Sequence, residues 1–306
     1  ALPIFFVAIP GALADGWDFV DDAIRRGAVA IVSEHTSRKI QNVASVSVED
    51  AHQAYAEIAA SLNGHPSDTL RVVGITGTNG KTTAAYMVRD VLRAAGLEPG
   101  LIGTVAYEVG ERVIPAGRTT PDAGTIQSLM RQMVEVGGKA AVMEVSSHAL
   151  MQQRTAGIGF DVAVFTNLTR DHLDYHKTMD AYFEAKASLF RSLAPESTAV
   201  INVDDEWGQK LKAEILPCST LSYSVEGAAD VTASSVDVDS KGNRFMAKTP
   251  WGDHVVKLKL LGRHNVSNAL ACIAACGALG IELAVAAKAL SKLKTVRGRL
   301  EPVSGG

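Results

Sequence analysis

The fold of this chain is decided by the stretch Leu70-Arg71-Val72-Val73-Gly74-Ile75-Thr76-Gly77-Thr78-Asn79-Gly80-Lys81-Thr82-Thr83. An apolar run of strand length ends in a glycine-bounded turn, and a helical pattern with Met87, Val88, Val91 and Leu92 on one face follows at once. Strand, Gly-rich turn, Lys-Thr and helix in that order describe a phosphate loop. The glycines Gly77 and Gly80 let the backbone N–H groups of Thr78, Asn79 and their neighbours converge on phosphate oxygens. The helix N-terminus adds partial positive charge, Lys81 neutralises the β- and γ-phosphates, and the Thr82 hydroxyl is available to Mg²⁺, with Thr83 completing the motif. The loop departs from the general pattern G-x-x-x-x-G-K-[ST], whose first glycine would fall at Ile75. A Gly-rich turn that merely starts a helix is the weaker reading, because strand, glycines, Lys-Thr-Thr and helix all occur in order.

Strands and helices alternate outward from this loop. Downstream the pattern predicts helix 81–95, strand 101–105, helix 122–136, strands 140–145 and 162–167, helix 181–193 and strand 199–203. This is a doubly wound, mostly parallel α/β sheet. Residues 219–260 change to short alternating runs around Asp239-Ser240-Lys241-Gly242-Asn243 and Pro250-Trp251-Gly252-Asp253, which predicts a small antiparallel insertion. Helices 265–279 and 283–293 close the unit. Upstream, Ile4-Phe5-Phe6-Val7-Ala8-Ile9 reads as a central strand in need of neighbours, followed by helix 19–26, strand 28–32 and helix 49–62. The turn formers Asn63-Gly64-His65-Pro66-Ser67 mark a boundary. The expected division is 1–68 as a smaller, incomplete α/β domain, 69–298 as the central phosphate-loop domain, and 299–306 as the start of a missing C-terminal domain.

Composition bounds the function. With 306 residues, 47% hydrophobic, 21% charged and a net charge of −3, the chain is of ordinary globular type, which excludes disorder and collagen. Mild acidity gives no reason to expect a nucleic acid or an anionic membrane as partner. The longest weakly polar run, 269–281, is too short for a membrane span, which needs roughly 18 residues, and no signal sequence precedes it, so a cytoplasmic location is expected. Cys218, Cys272 and Cys276 lack metal-ligand spacing; Cys272 and Cys276, four apart in an apolar helical stretch, read as buried thiols, and a reducing compartment fits.

Three strand ends hold further chemistry. Glu144-Val145-Ser146-Ser147-His148 puts a carboxylate where open α/β sheets bind ligands, so Glu144 is a candidate for Mg²⁺; a helix-capping cluster is the equal alternative. Asn167-Leu168-Thr169-Arg170-Asp171-His172-Leu173-Asp174-Tyr175-His176 is dense in ligand types. His172 and His176 have zinc-like spacing but no intervening Glu, and a phosphate loop favours oxygen-seeking Mg²⁺. A solvated loop is the bland reading. Arg118-Thr119-Thr120-Pro121-Asp122 and Gly262-Arg263-His264-Asn265-Val266-Ser267-Asn268 each lead into a helix, where capping is the default and anion or base contact the sharper reading. Lys186 by itself reads as a solvated helix lysine.

Taken together, Gly77 to Thr83, Thr119-Thr120-Pro121, Glu144 to His148, Gln152, Arg154 and Asn167 to His176 resemble the Mur ligase family over essentially the whole chain. Within that family the match is with the branch that adds the third peptide residue. The family uses the shortened loop, which accounts for Ile75. The resemblance implies an ATP-dependent amide ligase of peptidoglycan synthesis, with ATP and Mg²⁺ as cofactors. The substrate carboxylate attacks the γ-phosphate, and an incoming amine captures the acyl phosphate. It implies that Lys81 and Thr82 hold phosphates and Mg²⁺, that Glu144 and His172 ligate metal, and that Lys186 is carbamylated and supplies a further anionic oxygen. Thr119, Thr120, Ser146, Gln152 and Arg154 would contact a UDP-N-acetylmuramoyl-dipeptide. His264, Asn265, Asn268 and Arg299 would meet the adenine nucleotide. The second substrate is a diamino acid, diaminopimelate by family frequency, and the protein is expected to be a monomer. Residues 1–68 would bind the UDP precursor, and this stretch of chain would bind its ligands but turn over poorly. Folylpolyglutamate- or cyanophycin-type ligases, or a nucleotide-binding module without catalysis, are the rivals.

Overall fold

The computed structural model describes residues 5–11, 14–35 and 43–296. Strands β1 (Phe5–Ala8), β2 (Ala30–Ser33) and β3 (Ala44–Ser47) form a parallel sheet in the order β1-β2-β3, accompanied by helices α1 (Val20–Arg25) and α2 (Ala51–Leu62). The expectation of a central first strand is corrected here. Among the described residues β1 is an edge strand, and β2, buried at all four positions, is the middle one. The apolar side chains of β1 serve one face only, with Phe6 packed into the small core of Ala8, Val20, Ala23, Ala28 and Ile31, while Phe5 is 48% exposed.

The large sheet has the order β14-β13-β12-β11-β10-β9-β4-β8-β5-β6-β7. Its parallel body is β5 (Pro99–Ile102), β8 (Ala140–Glu144), β4 (Arg71–Thr76), β9 (Val162–Phe165), β10 (Thr198–Asn202) and β11 (Ser219–Ser224). One end is the hairpin β6 (Ala106–Val109) and β7 (Arg112–Pro115). The other end is β12 (Val231–Asp239), β13 (Gly242–Thr249) and β14 (Gly252–Leu258). The antiparallel segment foreseen for 219–260 is therefore present, but continuous with the main sheet: β11 lies parallel to β10, and β12 starts parallel to β11.

Period-2 alternation distributes the strands between two cores. Val73, Ile75, Val142, Val162, Val164 and Val200 face one side. There they meet α3 (Lys81–Ala94), α9 (His264–Ala278) and α10 (Leu283–Lys292). Val72, Ala141, Met143, Ala163, Phe165 and Ile201 face the other. That side holds α4 (Ala123–Glu135), α5 (Ser147–Met151), α7 (Met179–Arg191) and α8 (Glu206–Lys212), with the single turn α6 (Leu173–His176) before α7. Cys272 and Cys276 are fully buried in α9, with Sγ atoms 4.0 Å apart, as thiols of an apolar helix.

Two features of this order position the site. After β8 the chain crosses β4 to form β9, so the loops leaving β4, β8 and β9 surround one crevice at the carboxyl end of the sheet, where doubly wound folds bind ligands. Helix α2 also leans on α4, where Tyr55 Oη donates to Asp122 Oδ1 at 3.0 Å, and so ties the small sheet to the large one.

Candidate active site

The turn after β4 is built so that its backbone is open. Gly77 has φ +146°, and a Cβ there would overlap Thr166 Oγ1; Gly80 caps α3 at φ +86°, with Asn268 Oδ1 only 2.5 Å from where a Cβ would stand. Only glycine fits at either position. The next strand end locks the loop: Asn79 N–H donates to Asn167 Oδ1 at 2.9 Å, and Asn79 C=O accepts from Thr166 Oγ1 at 2.6 Å and Asn167 Nδ2 at 3.1 Å. Lys81 Nζ folds back onto the carbonyls of Gly77 and Thr78, both at 2.8 Å. Lys186, on α7, donates to the same Gly77 carbonyl at 3.0 Å and stands 4.6 Å above the Tyr182 ring. It is 1% exposed, which corrects the solvated-lysine reading. Burial, reinforced by the Lys81 charge, pushes its amine well below the usual lysine range.

Glu144 ends β8 with its carboxylate buried beside the loop. Thr82 Oγ1 donates to Oε2 at 2.9 Å, and Thr104 supplies its N–H to Oε1 at 2.8 Å and its hydroxyl to Oε2 at 3.0 Å. Thr120 Oγ1 donates to the Glu144 main-chain carbonyl at 2.8 Å and accepts from Ser146 N–H at 3.0 Å. Arg154 donates to Thr120 C=O at 2.7 Å and to Gln152 Oε1 at 2.6 Å. Thr119, Thr120, Ser146, Gln152 and Arg154 thus form one connected patch next to Glu144. Ser146 also caps α5 by accepting from Ala149 N–H, as the capping reading of this segment expects.

Beyond the patch lies an aromatic cluster. His148 is 5.0 Å from His172 and 5.6 Å from His176, ring to ring, and His176 stacks on Tyr182 at 4.8 Å. His176 Nε2 meets Ser147 Oγ at 2.8 Å. Burial, and then the neighbouring His148 and Lys186 charges, lower its pKa to about 4. His172 is exposed, in a left-handed conformation with φ +53°, and its ring approaches Tyr182 at 6.2 Å. No three His, Cys, Asp or Glu side chains gather as a ready metal cage among the described residues. The oxygen pair Thr82 Oγ1 and Glu144 is the donor set that suits a hard divalent cation sharing its shell with phosphates and water.

A cavity of about 580 Å³ opens over the loop. Its floor is 78–83 with Thr104, Thr119 and Glu144, and its far wall brings in His264, Asn265 and Asn268 from the start of α9. Asn265 and Asn268 are joined by a 3.1 Å hydrogen bond. Arg299 lies outside the described residues. The sequence reading missed Thr104, Tyr182 and the packing of His148. Thr104 has a recoverable signal, since it follows the carboxyl end of a parallel strand beside β8. Tyr182 and His148 are ordinary helix residues until the fold stacks them.

Comparison with known proteins agrees with this arrangement. The family described as Mur ligase middle domain matches residues 75–276. A UDP-N-acetylmuramoyl-L-alanyl-D-glutamate--2,6-diaminopimelate ligase of Geobacter sulfurreducens is 43% identical over 304 residues, covering 97% of this chain and 60% of the relative. The ligase of the same name from Geobacillus thermodenitrificans is 43% identical over 307 residues, covering 98% and 62%. The chain thus spans about three fifths of the length of these relatives. A solved structure of a ligase of that name superposes with TM-score 0.86 at 30% identity, over 99% of this chain and 62% of that one. Mycobacterium tuberculosis folylpolyglutamate synthase, solved with ADP and AMPPCP, shares the fold at TM-score 0.65 and 19% identity over 81% of this chain and 64% of its own. Because the family match falls on the large sheet and its phosphate loop rather than on a peripheral element, this chain belongs to the Mur ligase family.

Proposed function

We propose that this chain serves an ATP-dependent ligase that joins meso-diaminopimelate to UDP-N-acetylmuramoyl-L-Ala-D-Glu in peptidoglycan synthesis. The observation that carries the reading is Glu144: its buried carboxylate accepts from Thr82 of the phosphate loop and its main-chain carbonyl accepts from Thr120 of the neighbouring patch, which supports a nucleotide and a second substrate meeting at this residue. The 43% identity to ligases of that name supports the substrate choice over the folylpolyglutamate, cyanophycin and non-catalytic alternatives.

In this reading residues 69–298 form the ATP-binding unit and residues 1–68 meet the UDP moiety, with 299–306, outside the described residues, leading into a further domain. Lys81 and the loop amides bind the phosphates, and His264, Asn265 and Asn268, with Arg299, bound the adenosine side. Thr119, Thr120, Ser146, Gln152 and Arg154 orient the dipeptide, with Arg154 the natural partner of a carboxylate. Thr82 and Glu144 would hold Mg²⁺, and His172 with a carbamylated Lys186 would hold a second ion, which between them offset the charge that phosphoryl transfer concentrates. The precursor carboxylate attacks the γ-phosphorus as the bond to ADP breaks, and the amine of the diamino acid then displaces phosphate from the acyl carbon. Water exclusion matters here because the acyl phosphate hydrolyses. The reaction belongs in the cytoplasm, with the protein a monomer.

Calorimetry with a non-hydrolysable MgATP analogue and with the UDP-dipeptide tests the reading. Saturable binding of both is expected, the analogue lost in Lys81→Ala and the precursor weakened at least tenfold in Arg154→Ala, roughly the value of a charged hydrogen bond. Whatever phosphate release the chain sustains should require the precursor and rise with meso-diaminopimelate rather than L-lysine. A folded chain that binds neither ligand overturns the proposal.

A further inference from the structure

The adjacent residues Thr119 and Thr120 reach Glu144 by different routes. Thr120 bonds its main-chain carbonyl, whereas Thr119 reaches the carboxylate only through Thr104, whose Oγ1 lies 3.1 Å from Thr119 Oγ1 and 3.0 Å from Glu144 Oε2. A hydroxyl has one proton and a carboxylate only accepts. The Thr104 proton therefore goes to Glu144, and Thr119 donates to Thr104. Thr82 Oγ1 donates to the same Oε2 at 2.9 Å. The outcome is a directed chain, Thr119 to Thr104 to Glu144, that meets the phosphate loop at Thr82. Glu144 is 1% exposed, and a Cβ on Gly103 would come within 2.5 Å of Oε1, so the 103–104 backbone is pressed against the carboxylate.

A divalent cation held by Thr82 Oγ1 and Glu144 would draw on a lone pair of each, and the donors that do not themselves ligate it would fix where the carboxylate stands. Thr104 supplies two of the three hydrogen bonds that the described residues make to the carboxylate, through its N–H and its hydroxyl. We infer that Thr104 is a positioning residue that holds Glu144 ready for the cation and, through Thr119, makes that hold responsive to a ligand on the 119–120 turn. This inference rests on the reading of Thr82 and Glu144 as the Mg²⁺ pair of a nucleotide site.

Thr104→Val keeps shape and N–H while removing the hydroxyl; Thr104→Ser restores it. ADP binding is measured by calorimetry on this chain and both variants, in Mg²⁺ and in EDTA. In the unsubstituted protein Mg²⁺ is expected to tighten ADP, and the absence of that effect overturns the inference. The expected result is that Thr104→Val loses roughly tenfold of that tightening while its EDTA affinity stays within about twofold, and that Thr104→Ser recovers it. Equal weakening in Mg²⁺ and EDTA marks a packing role and overturns the inference, as does an intact Mg²⁺ effect in Thr104→Val. An unsubstituted chain that binds ADP under neither condition overturns the nucleotide reading itself, and this inference with it.

Discussion

An ammonium sealed from water is unstable as a charge, and Lys186 has Lys81 beside it as well. Both effects favour the neutral amine, the form that adds CO₂ to give a carbamate and a proton. A protein equilibrated with ¹³C-bicarbonate should therefore show a carbamate carbon resonance that is absent from Lys186→Met; its absence from the unsubstituted protein would remove Lys186 from the metal site. The same substitution should leave the thermal midpoint unchanged or raise it. Gly77 C=O keeps Lys81 as donor, and replacing a buried amine by an apolar side chain of similar length is often neutral or stabilising. His176 works in the opposite pH range. Its folded pKa of about 4 lies below the ordinary 6.5, so above pH 6.5 both states are neutral and it contributes no pH dependence. Between pH 6.5 and 4 the unfolded chain takes up a proton that the folded site refuses, and stability falls by up to about 1.4 kcal/mol per pH unit. Urea unfolding of His176→Gln, which retains a partner for Ser147, should show a shallower acid slope than the unsubstituted protein. The burial of Lys186 was legible in the helical period, since Tyr182, Phe183, Leu189 and Phe190 stand three and four residues from it, an apolar face that the solvated-lysine reading overlooked. The surroundings of His176 were not, because His148, Ser147 and Tyr182 reach it only through the fold.

At the scale of elements, the parallel core was legible because β4, β8, β9 and β10 are short apolar runs between turn formers, and α3, α4, α7, α9 and α10 fall within a few residues of the periodic segments. Elements that escaped notice lack that contrast. Strand β3 is exposed along its whole length, and β6 and β7 surround a two-residue turn, Gly110-Glu111, within a stretch that alternates too briefly to stand out. The β6–β7 hairpin is fixed by charge as much as by apolar contact. Arg89 on α3 reaches both Glu108 oxygens, at 2.7 and 3.0 Å, and lies 4.3 Å from the Tyr86 ring centre. Its side chain is only 11% exposed and that of Glu108 12%, so truncating either leaves the other charged and poorly hydrated. Arg89→Ala should cost about 2 kcal/mol in denaturant unfolding. The double variant with Glu108→Ala should cost less than the sum of the single changes; simple additivity would show that the pair is solvated in solution.

The whole molecule joins two sheets of unequal strength. Strands β4, β8 and β9 are covered on both faces by cores that include Val73, Val142 and Val164 on one side and Val72, Met143 and Phe165 on the other. Among the described residues the core cluster of the small sheet comprises five buried apolar side chains, Ala8, Val20, Ala23, Ala28 and Ile31, and its edge strand β3 is exposed at every position. Local opening free energy follows buried contact, so amides of β1–β3 should exchange with deuterium well before those of β4, β8 and β9. What resists this separation is the seam where α2 meets α4, with the Tyr55–Asp122 bond and the close approach of Gly157 to Ala60 and the α2 backbone. Tyr55→Phe removes the hydroxyl and keeps the ring. It should speed exchange in β1–β3 several-fold, equivalent to about 1 kcal/mol, without changing β4. If β1–β3 instead exchanged as slowly as β4, the seam would bind both sheets into one cooperative unit. A ligand reaching from the small sheet to the phosphate loop would then meet a preformed cleft rather than one it must close.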